Sequence, residues 1–424
     1  MNTLNFVDVY KKSSNVWVFI LLAIAIWLAH FLQIGQFGIY SDDYFRVATA
    51  LGMSGDRVWP TILEEGFRQG RPLHDGLIIL FSFIGGKLGG LSVIYGIGFI
   101  ILMLNSCLFY TFLKRIQPRD IFALSGAFAF ALFPADPTEI FLTHSLGIQT
   151  SLTLFLIAIH LYLSHQKIAS YIIITLSLFT YEKLFPIFLI APLLTKKWDV
   201  KSKKTIIKHA IVLGIILVAV VVLRKITGES RIDDLNMIHA ARRSIRDVLY
   251  GPVTSMGMFV YRAIETLLLW DFRTVDFKDI PKAKYIFVTL ICLCTAGFTY
   301  VLSRIKSNEF YQELNSKQTW SNPIFYLQYP RYFQDMAKLS GIGLLALVLA
   351  YPLTLTTYAY IIDGQEAGRA HAAARIGASI LCACVWSAIW FVATIYRKKN
   401  DCRCGFTGLL LVTYWIWYYR PTKL

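Results

Sequence analysis

Long apolar runs separated by short polar clusters organise this chain. Six of them, residues 17–35, 91–113, 205–223, 284–305, 339–358 and 374–396, are predominantly apolar. Each has roughly the 17 to 25 residues that a membrane-crossing helix needs, without the alternation or amphipathic stripe of a water-facing element. Shorter runs at 120–135, 144–163, 168–181, 184–194 and 405–419 predict further helices of the same kind. The pattern therefore predicts an all-α polytopic membrane protein with about 10–12 transmembrane helices. Residues 17–35 lack a small-residue cleavage site, so they are expected to be kept as the first span. Residues 76–90 contain Gly85, Gly86, Lys87, Gly89 and Gly90. At about 15 residues, this run suits a juxtamembrane or re-entrant helix that does not cross.

Composition agrees: 56% of residues are apolar, 16% are charged and the mean hydropathy is +0.54. The formal charge of +16 would ordinarily raise nucleic acid as a partner. Position argues otherwise. If 76–90 does not cross, Lys11 and Lys12, the segments 114–119, 196–208, 304–338 and 397–403, and Lys167 all fall on one side of the predicted spans, whereas a short true span there would put the cluster at Lys114 outside. Such an excess is the orientation signal of cytoplasmic loops, so no nucleic-acid partner is expected. The opposite side receives 36–75, 134–143, 224–283 and 359–373, and the first and third of these are too long to be mere connectors. The chain divides into a transmembrane core at 1–223 with a long first external loop at 36–75, an external loop with amphipathic helices at 224–283, and C-terminal transmembrane helices at 284–424. The seven cysteines avoid the external segments, so no disulfide framework is expected. A Cys-x-Cys pair on a helix points its sulfurs about 200° apart, unsuited to one metal ion.

The densest chemistry follows the first span, in Tyr40-Ser41-Asp42-Asp43-Tyr44-Phe45-Arg46. Adjacent carboxylates raise each other's pKa, and one of them could act as a general base. Further on, Phe67-Arg68-Gln69-Gly70-Arg71-Pro72-Leu73-His74-Asp75 places two guanidinium groups, an imidazole and a carboxylate before the chain turns apolar again. The planar fork of arginine suits phosphate. These same charges could also serve only as helix caps and interfacial pairs.

A span followed at once by Asp-Asp-Tyr and Arg46, then by Gly-Arg-Pro at residues 70–72, resembles the phage serotype-converting O-antigen glucosyltransferase family and, more broadly, the GT-C polytopic glycosyltransferases. The specific match covers residues 37–76, with a weaker one in Phe179-Thr180-Tyr181-Glu182-Lys183. The resemblance implies a GT-C-like fold with juxtamembrane helices in the first external loop. It implies a polyprenyl-phosphate-linked sugar as donor, an O-antigen or related surface glycan as acceptor, and a multi-pass protein of the bacterial inner membrane with a periplasmic site. It casts Asp42 and Asp43 as the catalytic pair, Asp42 being the favoured base, and Arg46 and Arg71 as ligands of the donor phosphate; Arg369, in the last external segment, is a further donor-phosphate candidate by its position. Tyr44, Arg68, His74, Asp75, Asp136, Glu182, Arg242, Arg243 and Arg246 are the further substrate-binding candidates.

Several of these have an equally plain structural reading. Asp136, in a Pro-rich turn with Glu139, could bind acceptor hydroxyls or a divalent cation, or could cap a helix. No other cofactor and no dedicated metal site is expected. Arg242, Arg243 and Arg246 share a helical face that suits either a phosphate or anionic lipid. Arg369 and Arg375 could reach the leaving phosphate or close a polar hairpin. A lipid-linked glycan polymerase or ligase centred on His239 and Arg242–Arg246, and a lipid-linked sugar flippase, are the alternatives. The latter would call for charges deep in several spans and two related halves.

Overall fold

The computed structural model describes residues 6–32, 34–40, 42–68, 70–133, 135–136, 141–195, 200–227, 237–268, 323–353 and 371–399. All regular structure among them is helical. The elements are α1 (Phe6–Ile26, continued by a π turn at Trp27–Phe31), α2 (Asp43–Leu51), α3 (Gly55–Arg68), α4 (Pro72–Leu88), α5 (Leu91–Ile116) and α6 (Asp120–Ala131). A π turn at His144–Ile148 leads into α7 (Gln149–Leu163), followed by α8 (Lys167–Thr180) and a 3₁₀ rod, Glu182–Leu194. The remainder are α9 (Val200–Ile226), α10 (Met237–Leu268), α11 (Pro323–Leu349) and α12 (Ala374–Lys399).

Among the described residues, six helices are long and apolar enough to cross a membrane, at Val16–Gln36, Leu91–Ile116, His144–Leu163, Lys203–Ile226, Tyr332–Leu349 and Ala374–Phe391. The chain is an all-α, multi-pass membrane protein. Asp120–Ala131 and Lys167–Thr180 are shorter apolar helices. The expected runs at 284–305 and 405–419 lie outside the described residues. The run expected at 339–358 belongs to a helix that starts earlier, at Pro323, and ends at Leu349. Exposed Gln334 and Asp335 lie within it while Tyr332, Met336 and Leu339 are buried, so one apolar face carries the helix through a polar stretch.

The run at 184–194 is not an α-helix. Pro186 and Pro192 lack the N–H groups that an α-helical ladder would use, and the chain winds instead as a 3₁₀ rod of 13 residues. With a rise of about 2 Å per residue, such a rod covers about 26 Å, nearly the hydrocarbon thickness of a bilayer. It packs against α7, α8, α9 and α11.

The first polar segment folds into three helices lying on one end of the bundle. Pro72 occupies the first turn of α4, where no N–H is needed. Val58 of α3 and Ala50 of α2 bury against Ile79 of α4, leaving Tyr44, Phe45 and Trp59 exposed. Both ends of α4 meet the same end of the bundle. His74 lies against Gly147, Gly85 lies against Ile94 at the start of α5, and Gly98 of α5 abuts Ser145. The helix therefore does not traverse the bundle, as its length and glycines predict. At its far end Gly90 takes φ +78°, which turns the chain directly into α5.

Inside the bundle, small residues and polar pairs supply the cohesion that the hydrophobic effect cannot provide between helices in lipid. Asn105 of α5 donates to the Gln149 carbonyl and side-chain oxygens at 2.8 and 3.2 Å, and Thr153 donates to Asn105 at 2.6 Å. Ser151 and Ser177 join α7 to α8 at 2.9 Å. α11 and α12 cross so closely at Gly343 and Gly377 that a Cβ on Gly377 would sit 2.5 Å from the Gly343 carbonyl and from the Leu347 nitrogen. Backbone cannot rotate aside as a side chain can. Gly377→Ala is therefore expected to lower stability by about 1–3 kcal/mol through overpacking, whereas Gly214→Ala, with open space around it, leaves it unchanged or raised. Thermal unfolding of the two variants in detergent checks both.

Candidate functional site

The two segments that carry the resemblance lie 111 residues apart, and they meet at the end of the bundle covered by α2–α4. Arg71, the residue before α4, donates from Nε to Glu182 Oε2 at 2.9 Å and from Nη2 to Oε1. This is the two-pronged arginine–carboxylate geometry, with side chains 15% and 7% exposed. Arg224, at the end of α9, approaches the same Oε2 at 3.8 Å. The Arg71 guanidinium also lies 5.1 Å from the Tyr181 ring centre, and His74 stacks on that ring at 6.3 Å. Tyr181 is the cap between α8 and the 3₁₀ rod, so one turn gathers ligands from three parts of the chain.

A second pair stands beside it. Arg46 Nε lies 2.5 Å from Asp75 Oδ1, and the Asp75 side chain is 1% exposed. Burial pushes the Asp75 carboxyl above its ordinary range, against the pull of Arg46 and then Arg71. Arg46 and Arg71, read from sequence as phosphate ligands, are thus each engaged by a carboxylate.

The catalytic candidates separate clearly. Asp43 is fully buried, and its two oxygens accept from the backbone N–H groups of Leu142 and Thr143 at 3.0 and 2.7 Å. Burial raises its pKa and these donors oppose the rise. Asp43 therefore latches α2 onto the turn before the His144 π turn. Asp42, the N-cap position of α2, remains partly exposed, and its neighbour Tyr44 is 67% exposed. Tyr40 stacks on Phe141 at 5.6 Å and Tyr95 donates to the Gly38 carbonyl at 2.8 Å, fixing the segment that precedes the pair.

Other candidates are placed elsewhere. Asp136 is buried, in the turn that follows α6. Arg242 is exposed on α10, and Arg246 turns back to bind buried Asp247 at 2.8 Å, so the expected cationic face is partly neutralised. The Arg68 side chain, Arg369 and Glu139 lie outside the described residues. Arg375 is buried in the bundle, donating to Gln149 Oε1 at 3.3 Å and lying 5.2 and 5.8 Å from the Phe130 and Phe133 rings. Among the described residues, no cluster of three or more His, Cys, Asp and Glu side chains could hold a metal ion.

Sequence reasoning did not single out Arg224, Tyr351 or Gln149. A single basic residue ending an apolar run looks like an ordinary helix-end arginine, and only the fold brings Arg224 to Glu182. Tyr351 shares a hydrogen bond of 2.8 Å with His371 Nδ1. Burial, and then the charge of Lys183, push His371 down to about 4, so it is neutral at pH 7.

Two consequences can be measured. Removing one partner of a buried pair strands the other. Arg71→Met is therefore expected to cost about 3 kcal/mol or more, and Arg71→Met with Glu182→Leu less than the sum of the single changes. Denaturation of the three variants in one detergent tests this coupling. For His371, the folded pKa near 4 lies below the unfolded value near 6.5. The unfolded chain therefore takes up a proton first as the pH falls, and at most about 3 kcal/mol of stability is lost between those values. His371→Asn is expected to flatten the Tm–pH curve over that window. No protein-family model, no curated protein and no solved structure matches the chain.

Proposed function

We propose that the protein is a membrane glycosyltransferase of GT-C type that moves a sugar, a hexose such as glucose, from a polyprenyl-phosphate donor to a surface glycan of the O-antigen kind. The observation that carries this reading is the Arg71–Glu182 pair, which joins the Asp-Asp/Gly-Arg-Pro segment to the Tyr-Glu turn. Residues distant in sequence converge on one end of a helix bundle, beside helices whose exposed aromatic side chains suit a lipid boundary.

Displacement at an anomeric carbon needs a base for the acceptor hydroxyl and cations for the departing phosphate. Asp42, partly exposed at the start of α2, supplies the base. Asp43 holds it in place through the backbone of Leu142 and Thr143. Arg46, Arg71 and Arg224, each beside a carboxylate, give this end its cationic character, and in a water-poor site one well-placed donor to the departing phosphate contributes on the order of 2 to 4 kcal/mol to transition-state stabilisation. The donor is reached from the bilayer and the acceptor from the periplasmic side of a bacterial inner membrane.

The test uses membranes carrying wild type, Asp42→Asn and Asp43→Asn, a polyprenyl-phosphate hexose and candidate acceptor glycans. Asp42→Asn is expected to lower transfer by about 10²–10⁴-fold with Tm unchanged. Asp43→Asn loses an acceptor for two backbone donors, so it is expected to lower Tm as well as rate. Full transfer by both variants overturns the mechanism. Movement of the donor lipid across the membrane without a new glycosidic bond identifies a flippase instead.

A further inference from the structure

Among the described residues, Arg46, Arg71, Lys183 and Arg224 gather at this end of the bundle around Asp75 and Glu182, with Glu65 of α3 acting on Asp75 from the side. The pairings leave one of the cations over. Arg46 is held by Asp75, Arg71 by Glu182, and Arg224 stands 3.8 Å from Glu182 Oε2. Lys183 is 2% exposed, and its Nζ has no hydrogen-bond acceptor among the described residues. Its ammonium lies 5.7 Å from the Tyr181 ring centre, an attraction that leaves all three N–H donors without an oxygen.

Burying an ammonium without an acceptor is among the costlier arrangements a fold can hold. Among the described residues nothing relieves it. Glu182, the adjacent residue, spends its oxygens on two arginines, and His371, an imidazole that the Lys183 charge helps to keep neutral, has no negative charge to offer. The Lys183 ammonium matches an anion. Lysine meets phosphate as a compact point charge, which needs no planar partner. Arg71, with a side chain 15% exposed, and Lys183, 2% exposed, both lie against the Tyr181 ring.

We infer that Lys183 is the direct ligand of a phosphate group bound at this end of the bundle, with Arg46 and Arg71 shaping the site through their carboxylates rather than holding the anion themselves. The identity of the ligand as a lipid-linked phosphate rests on the proposed transferase reading; the anion site itself does not.

The experiment follows thermal unfolding and equilibrium binding of the full chain in nanodiscs, for wild type, Lys183→Met, Lys183→Arg and, as a surface control, Lys87→Met. Three probes are compared: farnesyl phosphate, uncharged farnesol and inorganic phosphate. Farnesyl phosphate is expected to raise the wild-type Tm, and to bind Lys183→Met about 30-fold or more weakly. Lys183→Arg stays within several-fold of wild type and Lys87→Met is unchanged, while farnesol binding ignores the substitution at 183. Without ligand, Lys183→Met is expected to keep or raise the Tm, because it removes a buried charge lacking an acceptor. A Lys183-dependent shift by farnesyl phosphate alone assigns the phosphate to a lipid headgroup. An equal shift by inorganic phosphate assigns it to a free anion. Equal affinity of wild type and Lys183→Met for both phosphates overturns the inference, as does a fall in ligand-free Tm with unchanged affinity. Lys183-dependent binding without sugar transfer by wild type leaves the anion site standing and removes the transferase. Asp42-dependent transfer with an unchanged KM in Lys183→Met does the reverse.

Discussion

The Arg71–Glu182 pair is the constraint on which the rest of this end of the molecule depends. It draws on charges that neither partner could keep alone in a medium of low dielectric, and its two-pronged geometry fixes the start of α4 against the turn before the 3₁₀ rod. Once α4 is anchored there, Asp75 is held under Arg46, His74 is stacked on Tyr181, and α2 and α3 are carried over the bundle by their packing on Ile79. The Asp43 latch to Leu142 and Thr143 closes the opposite edge. A polar segment of some forty residues is thereby set by two carboxylate anchor points and one small apolar cluster.

What could be read from the chain alone was what depends on neighbours in sequence. Hydrophobic length located the spans near residues 91–113 and 144–163, which became Leu91–Ile116 and His144–Leu163. The glycines of 85–90 indicated that α4 would stop short of crossing, and its two ends do meet the same end of the bundle. The 3₁₀ winding of 182–194 had a local cause in Pro186 and Pro192, but apolar length by itself suggested a short span of ordinary helix.

The pairing of charges was not legible, because it is set by packing over more than a hundred residues. Arg46 and Arg71 have the residue type that phosphate chemistry calls for, yet residue type does not say whether a carboxylate will arrive first. Glu182 and Asp75 did. The same fact leaves Lys183 conspicuous, since a lysine next to a glutamate reads as an ordinary i, i+1 couple until the glutamate is seen to face elsewhere. Asp42 and Asp43 could not be told apart as neighbours in sequence. The fold separates them by burying one completely and leaving the other at a helix start.

The 3₁₀ rod has a consequence for how such chains are counted. With three residues per turn it is a three-edged rod, and Pro186 and Leu189, one turn apart, lie on its less buried edge. Its thirteen residues are fewer than an α-helical span needs, yet their steeper rise carries them about as far. A passage through the bilayer exchanges inside for outside in all the loops that follow, so whether this stretch of proline-set winding crosses decides whether the later loops share the solvent that holds Asp42 or face the opposite one.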